Sequence, residues 1–284
     1  MKLSRRKFLK LMTKALLGGA VAAAGGIGGY EYSKRVETEW LDVERVQIPL
    51  KNLSSSLEGF KIVQMSDLHL HPFTELALIQ SAVEMVNVLR PDLVALTGDF
   101  VLREAAAIFD LIPVLAELKP KYGIFASLGN HDLWTNEATV RRGFEEARIP
   151  LLKNTGRLLG VGSAALYIAG VDDGWSGRPD LRAALTDAPP ETPTILLAHE
   201  PDLVDTFSQD GRVSLQLSGH THGGQVRLPG YGALVLPHLG QKYDLGLYRV
   251  NDTWLYTNRG LGVIWPPVRF NCRPEITEIT LTGG

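Results

Sequence analysis

Only one of the 284 residues is a cysteine, Cys272. A lone thiol excludes an intrachain disulfide framework and any zinc site built from several cysteines, and it leaves the compartment open. An excess of one charge is equally missing: 29 Lys and Arg stand against 31 Asp and Glu, a formal net charge of -2. Binding to a phosphate backbone needs a basic surface, so this balance gives no nucleic-acid partner to expect. With 45% of its residues hydrophobic, the chain can bury a proper core as one large domain or two small ones. Histidine is scarce too, seven in all, yet two of them stand one residue apart in Leu217-Ser-Gly-His-Thr-His-Gly-Gly-Gln225.

The N-terminus has the layout of an export signal. Met1 to Lys10 is basic and runs into an apolar, small-residue stretch, Leu11 to Gly29, whose one charged residue is Lys14. The order Ser4-Arg5-Arg6-Lys7-Phe8-Leu9-Lys10 resembles the bacterial twin-arginine signal. That resemblance implies passage through the twin-arginine translocation machinery in the folded state. Ala20-Val-Ala22 and Ala22-Ala-Ala24 fit a small-x-small cleavage site, while an uncleaved stretch of this length is near the roughly 20 residues that span a bilayer. Residues 1–35 are therefore expected to be an export signal or membrane anchor. The folded domain, residues 36–284, would face the periplasm or cell wall at the bacterial inner membrane.

Beyond Val43 strand and helix signals alternate without a low-complexity linker or an internal repeat. Phe60 to Ser66, Asp92 to Thr97, Gly123 to Leu128, Leu166 to Val171, Thr194 to Ala198 and Val213 to Leu217 read as short buried strands, and Leu151 as strand-like. Helical spacing covers Leu76 to Leu89, stopped by Pro91, then Glu104 to Leu118, Glu137 to Ala147 and Pro201 to Ser208. After Gly224 the pattern becomes turn-rich, ending in the alternating run Glu275 to Leu281. Strands alternating with helices imply βαβ units and mixed sheets covered on both faces. The expected fold class is α/β, a layered α/β/β/α sandwich.

On that skeleton the polar residues fall in one place. Asp67 and His69 follow the first strand, Asp99 the second, Asn130 and His131 the third; His199 ends the next, and His220 and His222 the last. Ligand sites of open α/β sheets gather at the carboxyl ends of strands. In extended backbone, residues two apart point to one side, so each D-x-H or H-x-H pair could aim two donors at one spot. Glycines beside them permit sharp turns. Imidazole with carboxylate suits divalent first-row metals such as Zn, Mn, Fe or Ni. Asp67, His69, Asp99, Asn130, His199, His220 and His222 are too many for one ion and suit two, one carboxylate bridging. Two metals roughly 3.5–4 Å apart can generate a hydroxide near neutral pH and clamp the attacking and leaving oxygens of a phosphoryl displacement.

Asp67-Leu-His69, Gly98-Asp99, Gly129-Asn-His-Asp132, His199 and Gly219-His-Thr-His222 together resemble the signature of the calcineurin-like metallophosphoesterase superfamily, over about Lys61 to Gln225. Any one of these motifs is weak; the ordered set is specific. With its leader, its Gly-Gly-Gln extension and its terminal Pro-Glu-Ile-Thr-Glu-Ile run, the chain looks most like the exported bacterial phosphodiesterase branch. That branch includes enzymes similar to the lipid A pathway pyrophosphatase acting on UDP-2,3-diacylglucosamine. The resemblance implies a hydrolase of phosphodiester, phosphomonoester or pyrophosphate bonds, with a cell-envelope or lipid-linked substrate. By motif, Asp67, His69 and His222 would hold one metal, Asn130, His199 and His220 the other, with Asp99 bridging. His131 would be catalytic, facing the substrate. Serine/threonine phosphatases of the superfamily place a carboxylate three residues after the bridging aspartate, where it orients that histidine; here the position is Leu102. The neighbouring Arg103 matches a phosphate-contacting arginine of those enzymes.

Plainer readings stand beside these. Asp99, Asn130 and Asp132 are also natural helix caps. Asp172-Asp173 reads as a loop of solvated carboxylates, His71 as a surface or supporting residue, and His238 has no partner motif. Trp175 and Trp265-Pro-Pro-Val could offer an apolar surface to a lipid-bearing substrate or to the membrane, or simply pack in loops. Two alternative functions are a nuclease-type phosphodiesterase, which the missing basic stripe disfavours, and a metal-loaded non-catalytic binding protein, which the complete donor set disfavours.

Overall fold

Strands such as Ile62-Val-Gln-Met65 and Leu93-Val-Ala-Leu96 are apolar at nearly every position because both of their faces are covered. In the computed structural model, which describes residues 26–284, alternate side chains of these strands enter two different cores. Ile62, Leu93 and Ala95 lie between two sheets, whereas Val63, Met65, Val94 and Leu96 meet helices.

The first sheet has the order β1 (Asp42–Leu50), β13 (Glu275–Gly283), β2 (Lys61–Met65), β3 (Leu93–Thr97) and β4 (Ile124–Ser127). Within it β2, β3 and β4 run parallel, β13 lies antiparallel to β2, and β1 is parallel to β13. The second sheet has the order β11 (Gly246–Val250), β12 (Thr253–Thr257), β8 (Val213–Ser218), β7 (Thr194–Leu197), β6 (Ala164–Gly170) and β5 (Thr155–Val161). Its four central strands are parallel and its two edges antiparallel. A small hairpin, β9 (Arg227–Leu228) with β10 (Gly232–Ala233), stands apart.

Helices α1 (Leu76–Leu89), α2 (Ile108–Leu115) and α3 (Asn130–Glu146) cover the outer face of the first sheet, with Ile79, Val83, Leu111 and Phe144 packed on Val63 and Val94. The short helices α4 (Leu181–Ala184) and α5 (Val204–Phe207) lie outside the second, where Ala184 and Phe207 meet Tyr167, Leu196 and Val213. The result is the α/β/β/α sandwich with mixed sheets that the alternation implies.

Differences from the sequence expectation have local causes. Helix α3 begins at Asn130 rather than Glu137, because its first turns are polar and Asn136 leaves helical geometry (φ -167, ψ 98), which interrupts the apolar period. Leu151 makes only an isolated bridge to Ala126. Edge strands β1 and β5 escape the pattern because few of their side chains are buried. Residues 26–35 are helical and dock on the domain through the Ser33 carbonyl, which accepts the Arg269 amide at 2.9 Å. The paired arginines and the small-x-small sites lie outside the described residues. Among the described residues no helix is long and apolar enough to cross a membrane.

Candidate metal centre

β2, β3 and β4 of the first sheet and β7 and β8 of the second all end at one edge of the sandwich, and the segments that leave them carry every motif residue. These residues are not on extended backbone. Asp67 (φ 49), His69 (φ 45), Asp99 (φ 56), His220 (φ 71) and His222 (φ 51) all occupy the left-handed region. The paired donors converge because the chain coils beyond the strand ends, and not through strand alternation. Non-glycine residues in that region store roughly 1 kcal/mol or more each, so the surrounding contacts must hold them there. Those contacts are main-chain bonds between neighbouring loops: Asp67 N–H donates to the Gly98 carbonyl, and His69 N–H to the Asp99 carbonyl, both at 3.0 Å.

The donors meet in two overlapping groups. His69 Nε2 and His222 Nε2 approach to 3.0 Å, with Asp67 Oδ1 at 3.8 and 3.4 Å from them. Asp99 Oδ2 lies 3.4 Å from His69 Nε2 and 3.2 Å from His199 Nε2, so this carboxylate stands between the groups. Asp67 Oδ1 also comes within 3.9 Å of His199 Nε2. The His220 amide donates to both Asp67 oxygens at 3.0 Å, and its ring lies 5.0 Å from that of His199. Asn130 is buried at the first position of α3.

Hydrogen bonding selects which ring nitrogens are free. His199 Nδ1–H donates to the Thr97 carbonyl at 2.6 Å, leaving Nε2 facing the carboxylates. His220 Nε2–H donates to the His238 carbonyl at 2.8 Å, leaving Nδ1. Outer bonds of this type orient metal-ligating imidazoles. Within the cage, Asn130 Oδ1, His69 Nδ1 and His222 Nδ1 are buried without a hydrogen-bond partner, and His199 Nε2 meets only the Asp99 and Asp67 carboxylates. Burial pushes His69 and His220 down to about 3, and His222 well below its ordinary value, so these rings stand as neutral lone-pair donors. Burial also pushes His199 down, but the Asp99 and Asp67 charges outweigh it and hold its pKa well up. The two carboxylates thus demand a positive charge at this spot, and a proton and a metal ion would compete for the same nitrogen. Two buried carboxylates, unpartnered oxygen and nitrogen donors and neutral imidazoles fit divalent cations.

His131 differs from the other histidines of the cage in being only half-buried. Its Nδ1 lies 3.3 Å from the Leu102 carbonyl, and its amide donates to Asp99 Oδ1 at 2.8 Å. The main chain of Leu102 therefore supplies the orienting acceptor that its side chain cannot. Asp132 is a structural anchor. Its carboxyl accepts the amides of Asp99 (2.9 Å), Phe100 (2.9 Å), Val101 (3.3 Å) and Gly129 (3.0 Å), binding the β3 and β4 loops together. Burial and the Asp99 charge push this carboxyl up to about 8 while the amides pull it down. Four N–H donors with no acceptor among them hold this carboxyl in the ionised form.

Several residues differ from their sequence reading. Asp172 and Asp173 are buried rather than solvated: Asp172 accepts the Asp173 and Arg178 amides, and Asp173 accepts that of Ser176. With the buried Glu200, which accepts the Gly174 and Trp175 amides, they shape the loop that holds Trp175 against the His220 and His238 rings at 5.8 and 5.6 Å. Trp134 meets Trp175 at 5.1 Å and His131 at 4.7 Å, so two indoles border the centre. Arg103 lies over the Phe73 ring, and His71 sits in a turn closed by its amide on the Thr74 carbonyl. Sequence reasoning missed Trp134, Glu200 and the carbonyl of His238. No local motif marks them, since each acts through a contact distant in sequence.

Carboxylates and imidazoles converging at the carboxyl edge of a two-sheet sandwich define a metal-dependent hydrolase. The chain belongs to the calcineurin-like phosphoesterase family, whose pattern matches residues 60–224, and is accordingly a metallophosphoesterase. It is 36% identical to the uncharacterized metallophosphoesterase YkuE of Bacillus subtilis, over 99% of this chain and 98% of that one. Phosphodiesterase YaeI of Escherichia coli is 31% identical, over 98% and 99%. UDP-2,3-diacylglucosamine pyrophosphatase LpxG of Chlamydia trachomatis is 30% identical, over 86% and 90%.

Proposed function

We propose that the chain hydrolyses a phosphodiester or pyrophosphate bond in a lipid-linked substrate of the cell envelope, with two divalent ions as cofactors. Asp67, His69 and His222 would hold one ion and Asn130, His199 and His220 the other, with Asp99 between them. When bound, such ions supply Lewis acidity toward phosphoryl oxygens and bring the pKa of water toward neutrality. The remaining work falls to the chain. His131, anchored through Nδ1 on the Leu102 carbonyl, keeps Nε2 for proton transfer to the leaving oxygen. Trp134 and Trp175, partly exposed, would offer an aromatic wall to the substrate on that side.

The observation that carries this reading is the convergence of Asp67, His69, Asp99, His199 and His222 with buried, unpartnered donors among them. Support for a lipid-linked substrate comes from the diacyl compound in the name of one relative and from the apolar leader. Export through the twin-arginine machinery, with the domain facing the periplasm or cell wall, accords with the Arg5-Arg6 leader. The test compares hydrolysis of bis(p-nitrophenyl) phosphate and p-nitrophenyl phosphate by the full chain, after chelation and after return of manganese or zinc. Metal-restored cleavage of the diester is expected. Fully metallated protein that cleaves neither would make a narrow substrate pocket or the non-catalytic binding role the leading reading.

A further inference from the structure

Large apolar side chains left in water are few on most soluble domains, and where they adjoin one another they mark a contact surface. Here a group of them lies around the point where the N-terminal segment joins the domain, while others, such as Val88 and Leu158, stand singly elsewhere. Ile27 is 66% exposed, and Tyr30, Tyr32, Val36 and Trp40 follow on the same segment. Across one surface cavity Tyr32 faces Pro229, at the turn of the β9–β10 hairpin, and Phe270. The hairpin carries Tyr231 (75% exposed) and runs on into Val235 (77%). Phe270 is bonded to it through the Arg227 amide at 2.9 Å. Gln225 extends the patch. Its side chain bonds the carbonyls of Ile264 and Pro266 and the Ile264 amide, holding Trp265 (74% exposed) beside the hairpin.

We infer that this face is a bilayer-docking surface that sets the metal centre at the membrane; the inference rests on the reading of a lipid-linked substrate. Three features select a lipid surface over a protein partner. First, Ala15 to Tyr30 carries no charged residue, and the described end of that stretch, residues 26–30, adjoins this face. Second, the exposed residues are tyrosine and tryptophan mixed with aliphatics, the composition of the headgroup boundary, and Arg273 lies 3.6 Å over the Trp40 ring. Third, the hairpin segment, residues 222–238, is tied to the centre at both ends. It leaves at His222, whose carbonyl meets Cys272 Sγ at 3.2 Å, and returns at His238, whose carbonyl holds His220. A lipid headgroup beside the hairpin therefore lies on the loop that orients a metal-site histidine.

The sole cysteine, Cys272, is buried, so a thiol placed at Tyr231→Cys in the full chain takes an environment-sensitive fluorophore selectively. Leu158→Cys on edge strand β5 serves as the control. With vesicles of phosphatidylethanolamine and phosphatidylglycerol containing brominated acyl chains, the label at 231 should shift to the blue and be quenched, and the label at 158 should not. Quenching of neither label would mean that the hairpin does not meet lipid, quenching of both that contact is not confined to this face, and either result would overturn the inference, as would a dimer that shields position 231 without quenching. Tyr231→Ser combined with Val235→Ser should lower hydrolysis of a vesicle-borne nitrophenyl phosphodiester of diacylglycerol about tenfold, with bis(p-nitrophenyl) phosphate within about twofold. Equal loss on both substrates, or no loss on either, counts against docking. Quenching at 231 in a chain that cleaves no diester would leave docking standing and remove the hydrolytic reading instead.

Discussion

His131 and His222 lie in the same cage but differ in what they touch. His222 is buried with its Nε2 turned to His69 and Asp67, whereas His131 is half-buried and held by a main-chain carbonyl. We expect His222→Ala to lose bound metal and activity together. His131→Ala should keep its metal while turnover falls about 10²–10⁴-fold, the range of a general acid or base. Metal content by elemental analysis beside kcat on the diester checks both, and equal metal loss in His131→Ala would make that residue a ligand. Asp132→Ala strips the acceptors from four buried amides. Unsatisfied buried donors cost about 1–3 kcal/mol each before relaxation and water entry, so a loss of about 3 kcal/mol or more is expected in urea unfolding. At this scale the convergence of the candidate donors was legible, because strand-end position and residue type are written in the chain. The acceptor for His131 was not. The sequence shows a leucine at position 102 and conceals that its carbonyl faces the ring. The buried pair Asp172-Asp173 was misread for a related reason, since nothing local announces that Glu200 and the Trp175 loop close over it.

Between β4 and α3 stands Gly129, where a Cβ would come 2.7 Å from His199 Nε2 and 2.8 Å from the Asp99 amide. Gly129→Ala must move the loops that aim these two candidate ligands. We expect metal affinity to fall about tenfold or more, the effect of disturbing groups that orient ligands, as read by calorimetric titration. A second element-level support is the segment after β12. Arg269, fully buried, donates to the carbonyls of Cys272, Arg259, Gly260 and Gly262, and Gly262 N–H in turn bonds the Asp67 carbonyl at 2.7 Å. Arg269→Ala should destabilise by about 3–5 kcal/mol in urea unfolding, because four carbonyls lose a charged donor. Helix α1 was readable to the residue from its apolar period. The start of α3 was not, since its first turns serve Asn130, His131 and Asp132 rather than the core.

The two sheets meet through apolar side chains such as Ile62, Ala95, Ile195 and Leu217, and again at the metal edge, where the donors come from both. Ions bound there would cross-link the sandwich. Removing them with a chelator should lower thermal stability by about 4 kcal/mol relative to protein in a thousandfold excess of metal over its Kd, seen as a fall in Tm by calorimetry. An unchanged Tm would mean that the cage binds no ion in the folded state.

From the sequence alone came the α/β class, the order of the motifs and the donor types, since apolar periodicity and residue chemistry are local properties. The tertiary structure decided which nitrogens are free, which carbonyl holds His131, and which indoles and apolar side chains share a face. Those are relations between segments as far apart as Leu102 and His131, or Tyr32 and Phe270, and only folding sets their distances.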